Sequence, residues 1–284
     1  MSPLGSAHVL MAPAIVFSLA LIAFPMLYTV WMSLSDFRFG SDPRFNAGAN
    51  YLQLSADPVF WHGLMLTLLL FMGALVLQLL TGTYLGLLLN QRIAGQRVIR
   101  AILLSPFMLP SVVVGMLWLV ILDPSIGAAN YILQSAGLPP SSWLANPSLV
   151  MPVIVVLDTW QWAPFVALIV LGGLQALPEE PYEAAYLEGA SRPQVFWYIT
   201  LPLLRPTLFT AAILRSVDLL RFFDLIYITT QGGPGDASNT LNIYAYKRGF
   251  EFFDIGYASA IMVVLLLIVL AVVWLLGRFR RSLA

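Results

Sequence analysis

The chain has 284 residues, of which 60% are hydrophobic and only 10% charged, and its mean hydropathy is +0.85; ordinary soluble domains are about 45–50% apolar and about 25% charged. Its 14 basic and 14 acidic side chains cancel, which removes any electrostatic argument for nucleic acid or acidic substrates, and the absence of cysteine excludes disulfides, thiolate catalysis and cysteine-held metals. The composition is that of a membrane protein, read as one membrane domain over residues 1–284.

Six apolar stretches are long enough to cross the hydrocarbon core, at about 9–34, 61–90, 99–122, 149–175, 203–229 and 256–277. Runs such as "IMVVLLLIVLAVVWLL" lack the period-two alternation of barrel strands, so the spans are expected to be helices. The first has no basic segment before it and no small-residue cleavage site, and is expected to remain as a span. His62, beside Trp61, marks a membrane interface and lies too far from His8 in sequence for a local site. In the second span Gln78, Gly82, Gly86 and Asn90 recur every four residues, which predicts close helix packing along one face. Pro13 and Pro25 in the first span, Pro106 and Pro110 in the third, and Pro152 and Pro164 in the fourth predict bent helices, either as packing kinks or around an enclosed path.

Basic residues set the orientation. Both termini on one side places Arg92, Arg97, Arg100, Arg192, Arg205, Arg278, Arg280 and Arg281 there, against Arg38, Arg44, Lys247 and Arg248 opposite. Both termini are therefore expected in the cytoplasm, with loops 35–60, 123–148 and 230–255 outside.

The fourth span carries "LDTWQWAPF", with Asp158, Gln161, Trp162 and Phe165 on a helix loosened by Pro164; Trp160 and Trp162 also suit an aromatic belt. The cytoplasmic stretch "EAAYLEGASRPQVFWYITLP", residues 183–202, reads as helix, turn, helix. Glu179, Glu180 and Pro181 start a helix, Gly189 stops it in a left-handed conformation, Ser191 and Gln194 form a capping box, and Pro202 is expected to end the second helix near Leu201. Helices this short are unstable alone in water. Two readings stand: an elbow that fills a groove on a partner, or a loop lying along the bilayer with Phe196, Trp197 and Ile199 in lipid.

The fifth span holds Arg215, Asp218, Arg221 and Asp224 at spacings of three, and charges inside hydrocarbon must face the bundle interior. They serve as an internal ion-pair ladder, as a carbohydrate site with Phe222 or Phe223 against a sugar face, or as both. No Walker A loop is present, and the single lysine, Lys247, lies in "YKRGF", so no ATP site is expected in this chain. Asp158, Asp218 and Asp224 are acid–base candidates for a membrane enzyme, but no nucleophile–base pair or metal cluster accompanies them, and no catalytic or metal-binding residue is assigned. A proton-coupled secondary transporter or channel is the stronger rival, because intramembrane acids relay protons.

Glu183, Ala184, Ala185, Gly189, Ile199, Leu201 and Pro202 match, in type and spacing, the EAA loop of permease subunits in binding-protein-dependent ABC importers; Glu188 stands where that family usually carries Asp. "GANYLQL", "IGAANYILQSAGLPPSSWL", "TTQGGPGDASNTLNIYAYKRGF" and "GYASAI" resemble the carbohydrate branch, of the maltose, trehalose and glycerol-phosphate type, and within it the first of two permeases. The resemblance implies the type I importer permease fold: an all-α protein with six transmembrane helices and a coupling loop at about 178–202. It also implies a second permease, two copies of an ATP-binding subunit that hold the ATP and Mg, and an extracytoplasmic solute-binding protein. Glu183, Ala184, Ala185, Glu188, Gly189, Ile199, Leu201 and Pro202 would couple to the ATP-binding subunit. Asp158, Gln161, Trp162, Phe165, Arg215, Asp218, Leu219, Arg221 and Phe222 would line a sugar site. At these positions the polar amides of the maltose type give way to charged and aromatic residues, so the sugar itself is not implied.

Overall fold

The computed structural model describes residues 3–91 and 95–281, with the side chains of 3–10, 14, 15 and 281 left aside. Arg92 and the side chain of Arg281, both used to orient the chain, lie outside that set. The chain divides into two compact units, Met1–Trp61 with Tyr244–Leu267, and His62–Ile243 with Ile268–Ala284.

In the first unit, α1 (Pro3–Ser33) leads into a two-stranded ribbon, β1 (Ser35–Asp36) against β2 (Arg44–Phe45), and then α2 (Ala49–Ala56). The membrane-crossing part of α1, Met11–Ser33, has almost no surface buried within the chain. Asp57 separates α2 from α3 (Pro58–Asn90). Its carboxylate accepts the hydroxyls of Tyr244 and Tyr257, each at 2.5 Å. Burial pushes the Asp57 carboxyl up, but these two hydroxyls and the backbone N–H groups of Val59 and Phe60 outweigh it and hold the group below the usual carboxylate range.

The second unit contains the main core. It runs through most of α3, α4 (Gln96–Leu104), a 3₁₀ turn Ser105–Met108, α5 (Ser111–Ile121), α6 (Ala128–Ser135), α7 (Val150–Gln175), α8 (Glu180–Leu187), α9 (Arg192–Val195), α10 (Leu201–Leu220) and α11 (Asp224–Thr229). After α12 (Leu241–Tyr246), the last helix is α13 (Ile255–Arg281). Among the described residues, five helices are long and apolar enough to cross a membrane, or six if the bent pair Gln96–Met108 and Ser111–Ile121 counts as one span.

One sequence expectation is sharpened and one is overturned. The bend that Pro106 and Pro110 predict in the third span is a break: its two parts meet at 98°, because Pro110 lacks the N–H an uninterrupted helix would use and biases Leu109 to its extended conformation. Pro202 does not end the helix after the capping box. The chain passes from α9 through a π-helical turn, Phe196–Thr200, into α10, with Leu201 N–H donating to Phe196 O. That wider register removes the demand for the hydrogen bond Pro202 cannot make.

The glycine stripe of α3 does what its spacing predicts. A Cβ at Gly82 would lie 2.5 Å from Val166, and one at Gly86 2.7 Å from Val170, so only glycine lets α3 approach α7 this closely. The core above that contact joins Leu70, Ala74, Ile154, Leu157, Leu219, Leu220 and Leu225.

Candidate functional site: a polar junction among apolar helices and an exposed elbow

Arg215 is almost wholly enclosed between α3, α7 and α10, at 1% exposure. Its Nε donates to Gln78 Oε1 at 2.7 Å, its Nη2 to Asp158 Oδ2 at 3.3 Å and its Nη1 to Asp218 Oδ2 at 3.3 Å. Gln78 completes the ring by donating Nε2 to Asp158 Oδ2 at 2.5 Å. An enclosed charge without such partners would be prohibitively costly, so the four side chains specify one another's positions. Asp158 is 0% exposed, whereas the Asp218 side chain is 46% exposed. The junction therefore shows one carboxylate to the outside, and the guanidinium holds that carboxylate from behind.

An aromatic group adjoins it. The Arg215 guanidinium lies 4.3 Å from the centre of the Trp162 ring, within the range of a cation–π contact. Phe107 contacts both Trp162 and Phe165, with ring centres 5.4 Å apart in each pair. Trp162 and Phe165 are themselves 6.0 Å apart. Phe107 comes from the turn before the Pro110 bend, so the break in the third span is what carries this ring to α7. Gln161 supports the bend: its Nε2 donates to Leu109 O at 2.9 Å, the carbonyl just ahead of Pro110.

Of the residues the sequence assigned to a sugar site, Asp218 and Arg221 are exposed, Trp162, Phe165 and Phe222 are half-buried, and Asp158, Gln161, Arg215 and Leu219 are buried. Leu219 and Phe222 belong to the apolar core. The ladder of four charges is cut short. Arg215 and Asp218 pair, but α10 stops at Leu220, and Arg221 is its exposed C-cap with Asp224 opening the next helix. Trp160 turns to the other side of α7, edge-on to Trp118 at 5.4 Å. Gln78 and Phe107 were not among the expected site residues. Gln78 looked like part of a packing stripe, and a lone Phe in an apolar span gives no signal.

The first helix of the elbow and its turn fold as the sequence predicts. Glu180 and Glu183 occupy the first turn of α8, Gly189 closes it at φ +78°, and Ala190 N–H reaches back to Ala185 O at 2.9 Å. Ser191 and Gln194 form the capping box that starts α9. Tyr182 Oη donates to Thr200 Oγ1 at 3.2 Å, tying α8 to the π-helical turn. Ala185 is buried at the joint, while Glu183, Ala184, Glu188 and Gly189 are exposed. Ile199, Leu201 and Pro202 are half-buried behind them. Leu187 projects at 90% exposure and Tyr198 at 79%. The end of α8 and the π-helical turn thus present exposed apolar side chains close in sequence to the carboxylates of Glu183 and Glu188.

The family described as binding-protein-dependent transport system inner membrane component matches residues 78–284. Among curated relatives, the trehalose/maltose transport system permease protein MalF of Thermococcus litoralis is 37% identical over 279 residues, covering 97% of this chain and 94% of that protein. The sulfoquinovosyl glycerol transport system permease protein SmoG of Agrobacterium fabrum is 33% identical, with 97% and 90% covered. The sn-glycerol-3-phosphate transport system permease protein UgpA of Brucella abortus is 31% identical, with 96% and 93% covered. In fold, the chain superposes on one from a bacterial ABC transporter involved in the import of the acidic polysaccharide alginate, at a TM-score of 0.85 and 22% identity, with 97% and 95% covered.

Proposed function

Because the chain belongs to the family of inner membrane components of binding-protein-dependent transport systems, we propose that it is one of two permease subunits of an ATP-driven importer of carbohydrate. Permeases named for trehalose/maltose, sulfoquinovosyl glycerol and glycerol phosphate share 31–37% of its residues over nearly its whole length, which supports a polyhydroxylated solute. The observation that carries the reading is the exposed edge of the junction on α7 and α10. Asp218 offers a carboxylate for hydroxyl groups, and Trp162, Phe165 and Phe107 offer ring faces for the apolar face of a sugar. Asp158, Arg215, Gln78 and Gln161 hold that edge in place from behind.

A single such edge does not enclose a solute, which fits a pathway shared with a second permease. The membrane-crossing part of α1, left almost uncovered by its own chain, gives that subunit a surface to pack on. Energy enters through the elbow. Glu183, Ala184, Glu188, Gly189 and Leu187 seat in a cleft on an ATP-binding subunit, one copy for each permease, and these subunits carry ATP and Mg. Glu183 pairs with a basic residue there. Dimerisation of the two ATP-binding subunits moves the elbow, and α10, continuous with it through the π-helical turn, carries the motion to Asp218. A solute-binding protein delivers sugar from outside. The likeness in fold to a transporter captured with an alginate pentasaccharide-bound periplasmic protein supports such a partner. Both termini then lie in the cytoplasm.

The test is uptake by the whole complex of labelled mono-, di- and trisaccharides, polyols and glycerol 3-phosphate. Accumulation of at least one should require ATP and should fall in Trp162→Ala and Asp218→Asn while basal ATP hydrolysis persists. Uptake that survives loss of ATP and collapses with the proton gradient would overturn the reading in favour of a secondary transporter.

A further inference from the structure

Behind the elbow lies a cavity of about 690 Å³, lined by the end of α3, by α4, by the end of α7 and by the start of α8. Among the described residues its polar lining includes one cation, Arg100, and one anion, Glu179, together with Asn90, Gln96, Gln175 and Tyr182. Arg100 Nη2 donates to Leu89 O at 3.1 Å, and Gln96 Nε2 donates to the same carbonyl at 2.7 Å, so both cap the C-terminal end of α3. The Arg100 Nε is buried and has no hydrogen-bond partner among the described residues. A buried guanidinium N–H left without an acceptor is costly, and no ion pair joins Arg100 to Glu179 among the described residues.

The position of α4 points to what fills the space. The segment containing α4 turns 98° from α5, so the two cannot both run along one membrane-crossing axis. Its apolar Val98 and Ile102 are 63% and 65% exposed, Arg97 is exposed, and no α4 residue is buried. A helix with apolar residues on one side and arginines on the other lies at the level of lipid headgroups. The cavity opens beside it, at the end of a 33-residue spanning helix.

We propose that this cavity is a seat for a phospholipid headgroup bearing both a phosphate and a primary ammonium, that of phosphatidylethanolamine. The phosphate accepts from Arg100 and the neighbouring amides, the ammonium donates to Glu179, and the acyl chains run past Val98 and Ile102. A purely anionic headgroup would leave Glu179 opposed by like charge. A quaternary ammonium has no N–H to donate to it. The proposal rests on the reading of the chain as a membrane permease, but lipid retention is measured without transport, so the two fail separately.

The test uses the assembled importer, delipidated in detergent and offered equal amounts of phosphatidylethanolamine, phosphatidylglycerol and phosphatidylcholine, with retained lipid counted by native mass spectrometry. Phosphatidylethanolamine should be retained about five-fold over either competitor, the effect of roughly one exposed ion pair, here that of its ammonium with Glu179. Arg100→Gln should erase that retention and Arg100→Lys should keep most of it. Glu179→Gln, at an exposed position, should abolish the preference over phosphatidylglycerol without lowering total lipid. Equal retention of the three lipids, or a preference that survives both Arg100→Gln and Glu179→Gln, would overturn the proposal. So would retention of soluble phosphoethanolamine as strong as that of the lipid, which would assign the seat to a free solute. Loss of an ATP-binding subunit from Arg100→Gln with lipid unchanged would assign it to a protein partner.

Discussion

Arg215 shows how a charge is made tolerable in an apolar bundle and then put to use. Three of its nitrogens are occupied, two of them by groups that nothing else in the described structure neutralises. Arg215→Ala would leave Asp158 enclosed and uncompensated, at a cost of about 3–5 kcal/mol, and should lower the melting temperature of the purified importer. Asp218→Asn, at the exposed end of the same chain of contacts, should leave that temperature nearly unchanged while impairing uptake. Equal destabilisation by the two would show that Asp218 serves packing alone. How much of this was legible follows from where the partners sit. The spacing of three between Arg215 and Asp218 is visible on one helix, and that pair forms. Gln78 lies 137 residues away, and nothing in its own span marks it as the partner of a distant arginine. Nor does spacing reveal burial. Asp158 and Arg215 looked like candidates for contact with solute, but the structure encloses both, because a charge on a spanning helix is equally well satisfied by another helix.

At the scale of elements, local rules succeeded where the chain's own neighbours decide the outcome. The capping box and the left-handed glycine of the elbow depend on residues a few positions apart, and both are present. The bend after Met108 and the π-helical turn before Pro202 were not legible in detail, since a proline states that a hydrogen bond is missing but not how the surrounding chain absorbs the loss. Contact between α3 and α7 was legible as a glycine stripe, and it is testable. Gly82→Leu should destabilise the protein by about 1–3 kcal/mol through overpacking against Val166. Gly172→Leu, at an exposed position where a Cβ would meet nothing within 4 Å, should have little effect on the melting temperature. Similar losses from both would mean that helix propensity, not the approach of the two helices, sets the cost.

For the whole molecule, the account joins an elbow that its own chain leaves uncovered to a spanning helix that carries the exposed carboxylate of a buried ion-pair junction. Residues 192–220 form one continuous helical path from the capping box to the end of α10, so displacement at the elbow has a rigid route to Asp218. Conformational coupling needs a contiguous element with two arrangements that both sites bias, and this path supplies the element. The most direct measurement is Glu183→Lys in the complete importer, reconstituted in membranes and assayed for both sugar uptake and substrate-stimulated ATP hydrolysis. Glu183 is exposed and makes no side-chain hydrogen bond among the described residues, so the variant should reach the membrane in normal amount. The account predicts that both activities are lost together; uptake at the level of the unmodified importer would contradict it.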